Sequence, residues 1–210
     1  MYSQGGAMSV LSRKERERLR HRKEILEAAE KVFARLGYHE TSIQEIARVA
    51  EFSVGSIYNF FESKDELYSS ILRVRLEEFH QIIKKETAKI KGPLEKLKKI
   101  VSIKFNLLEE HRNFFMIFFD FSKGRGLKNR ARMDEYVINL YREYLALVEQ
   151  LFEQAVGEGK IKEIDPHCLA VALEGISNNF IEHFSRLKKI SSFEELVPVI
   201  EEIFFKGVLA

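Results

Sequence analysis

Cysteine is nearly absent. Cys168 stands alone in 210 residues, which excludes an intrachain disulfide framework and a cysteine-built zinc site. Long apolar runs are absent too: no stretch can span a bilayer, and the opening residues, MYSQGGAMSV, hold no signal-like apolar core. A soluble, cytoplasmic chain with no membrane partner is expected. An excess of one charge is also missing. With 34 Lys+Arg against 32 Asp+Glu the formal charge is +2, so any affinity for nucleic acid must come from local placement. Catalytic signatures do not occur. His21, His39, His80, His111, His167 and His183 form no H-x-x-x-H or H-E-x-x-H pair. There is no G-x-S-x-G, and Cys168 has no histidine with a reason to sit beside it. The loop at 122–126 lacks the glycine spacing and Lys-Ser/Thr ending of a phosphate cradle. The expectation is no enzyme, no cofactor and no metal.

What is present is 45% hydrophobic residues, ample for a core, organised around residues 41–68, TSIQEIARVAEFSVGSIYNFFESKDELY. Ser42 is placed to cap a helix, with Glu45 at the capping-box position. Ile43, Ile46, Ala47 and Ala50 then share one face. Glu51-Phe52-Ser53 breaks the pattern. Ser53 caps a second helix over 54–61, in which Ile57 and Phe61 share a buried side. Ser63, with Glu66, opens a third helix at once. Helices this short need neighbours to carry them. The outward side of the second holds Gly55, Ser56, Tyr58 and Asn59, small or polar groups that allow close approach to a DNA groove. That is the geometry of a helix-turn-helix.

At these residues the chain resembles the TetR family of bacterial transcriptional regulators. The family pattern runs roughly T-T/S-x-x-x-I-A-x-x-A-G-V-S-x-G-x-L/I-Y-x-H/Y-F-x-x-K-E/D-x-L. It is matched here by Thr41-Ser42, Ile46-Ala47, Ala50, Ser53, Gly55, Ile57-Tyr58, Phe61, Lys64-Asp65 and Leu67. Upstream, Phe33 to Tyr38 is similar to the family's F-x-x-x-G-Y/F. The departures are Glu51 where glycine is common, Phe52 for valine and Phe60 for histidine or tyrosine. Glu51 leaves the turn without a glycine to take a left-handed conformation. In this reading Ser42, Ser53, Tyr58 and Lys64 hold phosphates, Lys64 at a helix N-terminus. Gly55 permits approach, and Val54, Ser56 and Asn59 face bases, where asparagine can read adenine by a bidentate pair.

The remaining chain follows in order. Residues 1–11 are unpatterned and expected to be disordered. The run SRKERERLRHRKE, from Ser12 to Glu24, is either a solvated face of Glu/Arg neighbours or an arm reaching phosphates or the minor groove. A core helix with Ile25, Ala28, Ala29, Val32, Phe33 and Leu36 inward should end at Gly37. A long helix over 63–91 follows, with one end in each of two domains. Gly92-Pro93 opens a helix running to about Glu110. Residues 113–121, NFFMIFFDF, read as helix buried on every side. They are core packing, or the wall of a pocket for a lipophilic molecule. Helices over 128–156 and from Pro166, capped by Asp165, lead to a last helix capped by Ser192 with Glu195 and disturbed by Pro198.

Two faces suggest sites. Asn179 and His183, four apart, are a buried polar pair or the polar end of an effector pocket with Phe105, Phe115 and Phe118. Cys168 reads as an inert buried thiol. The broad apolar band with Phe180, Phe184, Leu196, Ile200 and Phe204 suits a four-helix pairing with a second copy. The resemblance implies the same dimer, and two recognition helices on a palindrome require one. The expectation is therefore an all-α chain of about nine helices. A three-helix helix-turn-helix DNA-binding domain covers 12–62, and a larger helical effector-binding and dimerisation domain covers 63–210. Its partners would be palindromic double-stranded DNA, a second copy of itself and a small lipophilic effector that releases a repressor. The alternative is an architectural or cell-cycle DNA-binding factor of the same fold without an effector. A ligand-binding module with a vestigial DNA domain is disfavoured by the intact basic residues from Arg13 to Lys23.

Overall fold

The computed structural model describes residues 12–115, 117, 135–187 and 192–208, and these are helical almost throughout. Helix α1 spans Arg13–Glu40. Ser12 caps it, its hydroxyl accepting from the Glu15 N–H while the Glu15 carboxylate accepts from the Ser12 N–H. The basic run is thus not an arm ahead of the first helix but its opening turns, knitted by Arg13–Glu17, Arg20–Glu24 and Lys23–Glu27 pairs. Regular geometry stops at Gly37, with φ +75°, where a side chain would be strained. Leu36 escapes the expected inward stripe and is exposed. Residues 1–11 lie outside the described residues.

Helix α2 (Ile43–Ala50) and helix α3 (Val54–Tyr58) follow. Helix α3 is shorter than the expected 54–61, because the chain turns at Asn59–Phe60 before Phe61 is buried. Helix α4, Lys64–Thr87, packs on α1 with Leu67, Tyr68, Ile71 and Leu72, then runs on against α5 (Pro93–Glu110) and α6 (Glu135–Gly157). Helix α7, Pro166–Leu187, lies on α6 and is capped as expected, the Asp165 carboxylate accepting from the Cys168 N–H at 2.8 Å. The expected last helix is irregular. It passes from a 3-10 turn (Phe193–Leu196) to α8 (Val197–Ile200), a π stretch (Glu201–Phe205) and α9 (Lys206–Val208). Pro198 sits in the first turn of α8, where its missing N–H leaves no bond unmade. The Ser192 hydroxyl accepts from Glu194 rather than from Glu195.

One apolar core runs unbroken from Ile25 to Phe205. Tyr68 joins its two ends. Its ring meets Phe33 and Tyr38 below, and its hydroxyl donates to the Ile117 carbonyl at 3.0 Å above. Between α5, α6 and α7 the core turns polar. The Lys104 ammonium donates to both Glu174 oxygens at 2.9 and 2.8 Å, and the Tyr144 hydroxyl donates to Glu174 Oε1 at 2.6 Å. Burial, the Glu174 charge and that bond hold the Tyr144 phenol well above its ordinary pKa.

Candidate nucleic-acid interface

The turn between α2 and α3 is built around Glu51, which adopts φ 60°, ψ 34°, the left-handed conformation usually given to glycine. Its N–H and that of Phe52 both return to the Ala47 carbonyl, closing α2. Ser53 then starts α3, its hydroxyl accepting from the Ser56 N–H at 3.0 Å. Ile57 faces inward and is fully buried. The opposite side carries Gly55, Tyr58 and Asn59 into solvent, Tyr58 being 52% exposed. Val54 and Ser56 are half-buried beside them, and Ser42 and Ser53 are exposed at the two helix starts. A Cβ added at Gly55 would meet only the Ser53 hydroxyl, at 3.9 Å. Nothing inside the chain therefore requires glycine there.

Lys64 is not placed as expected. Its ammonium donates to the Tyr38 and Thr41 carbonyls at 2.9 and 2.8 Å and lies 4.4 Å from the Tyr38 ring centre. A cation is disfavoured at its own helix N-terminus and favoured near the C-terminal carbonyls of another, so Lys64 ties α4 to the end of α1. Asp65 accepts from the Tyr38 hydroxyl in the same join. The cations that sequence reasoning missed are Arg35 and Arg48, which meet on Glu45 at 2.7 and 2.9 Å. Only the Glu45/Arg48 spacing signalled them. Both remain well exposed on the α2 side, while the bonds from Arg48, followed by those from Arg35, lower the Glu45 pKa. The opening turns of α1 reach the same surface. His21 packs on Phe52 with ring centres 5.2 Å apart, and the Arg18 guanidinium lies 6.0 Å from the Phe60 ring centre.

Residues 25–71 match the model of the bacterial regulatory proteins of the tetR family. The chain belongs to that family. It is a helix-turn-helix, DNA-binding transcriptional regulator, and the matched span is the one just described, from the core half of α1 into α4. The fatty acid metabolism regulator protein of Bacillus subtilis is 25% identical over 140 residues, 67% of this chain and 70% of that protein. The tetR-family fold extends over almost the whole chain. The Bacillus subtilis transcriptional regulator FadR, solved in complex with stearoyl-CoA, superposes with a TM-score of 0.78 at 21% identity, over 88% of this chain and 98% of that one. AibR, solved with isovaleryl coenzyme A and operator DNA, gives 0.74 at 20% identity over 88% and 98%.

The expected effector and dimer residues fare unevenly. Phe105 and Phe115 are buried, but Asn179 and His183 are exposed on the outer side of α7 and join neither. Asn179 donates to the Gly175 carbonyl of its own helix at 2.7 Å. The side of α7 that faces inward carries Glu174, Ser177 and Ile181 instead. Cys168, expected buried, is exposed. Phe118 lies outside the described residues. In the dimer band, Leu196, Ile200 and Phe204 are 5%, 0% and 5% exposed within their own chain, so they are not an outer face. Such a wide band does not say which half turns inward. Here that half packs towards α5 and leaves Val199 and Ile203 outside. Phe180 and Phe184 are half-buried on α7, with ring centres 6.0 Å apart. Among the described residues, no helix is long and apolar enough to cross a membrane, and no cluster of His, Cys, Asp and Glu could hold a metal.

Proposed function

We propose that this chain is a cytoplasmic, non-enzymatic repressor that binds a palindromic operator as a homodimer and is released by a small, largely apolar effector. Residues 12–62 are the reading unit, and 63–210 sense the effector and pair the two copies. The observation that carries the reading is α3, whose outward side offers only small or polar groups around a glycine that the fold does not need. In this assignment Ser42, Ser53 and Tyr58 hold phosphates. Gly55 lets the helix in, and Val54, Ser56 and Asn59 meet bases. The exposed Val199 and Ile203, with the half-buried Phe180 and Phe184, supply the apolar surface for the second copy.

An acyl thioester is the effector class best supported, because two proteins of this fold have been solved with coenzyme A thioesters. Helix α4 transmits the response. It begins beside α3 and ends against α5 and α6, so a ligand that favours one arrangement of α4 shifts the separation of the two readers. The test titrates labelled operator DNA with the protein and then adds palmitoyl-CoA. Two chains per duplex and release by the thioester support the proposal; one chain per duplex, or no release, counts against it.

A further inference from the structure

Between α1 and α4 runs a groove of about 510 Å³, with Leu19, Leu26, Ile71 and Val74 along it and Arg22 and Arg75 among its charged groups. A smaller pocket, bounded by Phe79, Leu107, Phe114 and Phe115, shares Arg75, Glu78 and His111 with this groove. Arg75 therefore stands where the two spaces meet. Its Nε and one terminal nitrogen both donate to Glu30 Oε2 on α1, at 3.1 and 3.0 Å. The other terminal nitrogen donates to Glu78 at 2.9 Å. Arg22 is held differently, donating to the Ser70 hydroxyl at 3.2 Å with its guanidinium 4.8 Å from the Phe61 ring centre. These partners are neutral. Burial, with repulsion from Arg73, lowers its pKa against the attraction of Glu66. Half-buried Arg22 thus has hydrogen-bond donors left for an anion. The groove's other cation, Lys23, already faces Glu27 at 3.7 Å.

We propose that this groove takes an amphipathic anion. Its phosphate or carboxylate head sits on Arg22 and draws Arg75 away from Glu30, and its apolar tail passes Leu26, Ile71 and Val74 toward Phe79 and Phe115. This rests on the effector reading above and names its entrance and its lever. The Glu30–Arg75 pair is a direct tie between the reading unit and the middle of α4. The smaller pocket, of about 20 Å³, cannot hold an alkyl chain as it stands, and Arg75 lines both spaces, so entry of the tail and loss of the tie occur together. The charge-assisted bond to Arg22 holds the head in either state, and the contact with Arg75, made in place of Glu30, is the one that exists only in the released state.

The test uses the full chain and fluorescence anisotropy of its operator DNA, with palmitoyl-CoA, palmitate and coenzyme A added separately. Arg22→Gln should need about tenfold more ligand for half-release, the effect of losing one charge-assisted bond. Glu30→Gln should need less than the wild type, because the tie is already weakened. Each variant's operator affinity and melting temperature without ligand serve as the fold control. Release by palmitate assigns a carboxylate head, and release by palmitoyl-CoA alone assigns the phosphates. Equal release of wild type and both variants would overturn the groove while leaving the effector reading standing. Release by coenzyme A alone would overturn the amphiphile. No release of the wild type by any of the three would sink both.

Discussion

Replacing Gly55 by alanine should raise stability and lower operator affinity, opposite effects from one methyl group. In the free chain the new Cβ meets nothing closer than the Ser53 hydroxyl at 3.9 Å, and Gly55 lies inside the helix Val54–Tyr58. Alanine is favoured over glycine by up to about 1 kcal/mol in a helix interior, and by less in a helix this short. The melting temperature should therefore rise by roughly 1–3 °C. On DNA the same methyl holds α3 away from the groove. If that costs the Asn59 bidentate contact, the loss is about 1–3 kcal/mol in each half-site. A symmetric dimer suffers it twice, so affinity should fall by roughly 30-fold or more. Thermal melting by circular dichroism and anisotropy titration of the operator measure the two halves. Unchanged affinity with an intact fold would refute Gly55 as the point of close approach. A fall of several degrees in melting temperature would refute the structural half.

Three further outcomes are expected. Glu51→Gly relieves a left-handed conformation and should stabilise the chain by about 1 kcal/mol in urea unfolding; a loss of stability would contradict the turn geometry. Lys104→Met alone strands the buried Glu174 charge and should cost about 3–5 kcal/mol, whereas Lys104→Met with Glu174→Leu should recover most of it; equal losses in both variants would show that the pair itself, not the stranded charge, matters. Burial lowers the His80 pKa against the opposing pull of Glu143 and a bond to the Leu140 carbonyl. The unfolded chain then binds the proton more readily, so this contribution to stability is present above about pH 6.5 and is lost as pH falls toward the folded value. The exposed His167, raised by its bond to Glu149, acts with the opposite sign. The measurement is therefore the difference between wild type and His80→Gln at pH 7.5 and 5.5, and a wild type that loses no more stability than the variant would contradict it.

The reader was legible in the sequence because its signals are local. Ser42, Ser53 and Ser63 each accept from an N–H three residues on, and the small outward groups of α3 follow from spacing alone. The capping boxes at Ser42 and Ser63 closed only half-way. The Glu45 carboxylate turns to Arg35 and Arg48, and Glu66 accepts from Glu62. What misled was long-range. Lys64 finds carbonyls at Tyr38 and Thr41, partners that no local pattern reveals. The Lys104–Glu174 pair spans 70 residues, and neither residue carries any mark of burial. Asn179 and His183 shared a face, as their spacing said, but periodicity cannot tell which face of a helix turns inward when apolar residues lie on both sides. The same ambiguity placed Leu196, Ile200 and Phe204 outside rather than inside.

The most direct test of the account is selection of duplex DNA from a random pool by the purified chain at near-physiological salt, in parallel with Tyr58→Ala. The account predicts that the wild type recovers an inverted repeat with half-sites about one or more helical turns apart, and that the variant recovers it weakly or not at all. Recovery of no common sequence, or of the same repeat by the variant with undiminished affinity, would contradict the assignment of α3 as the reader.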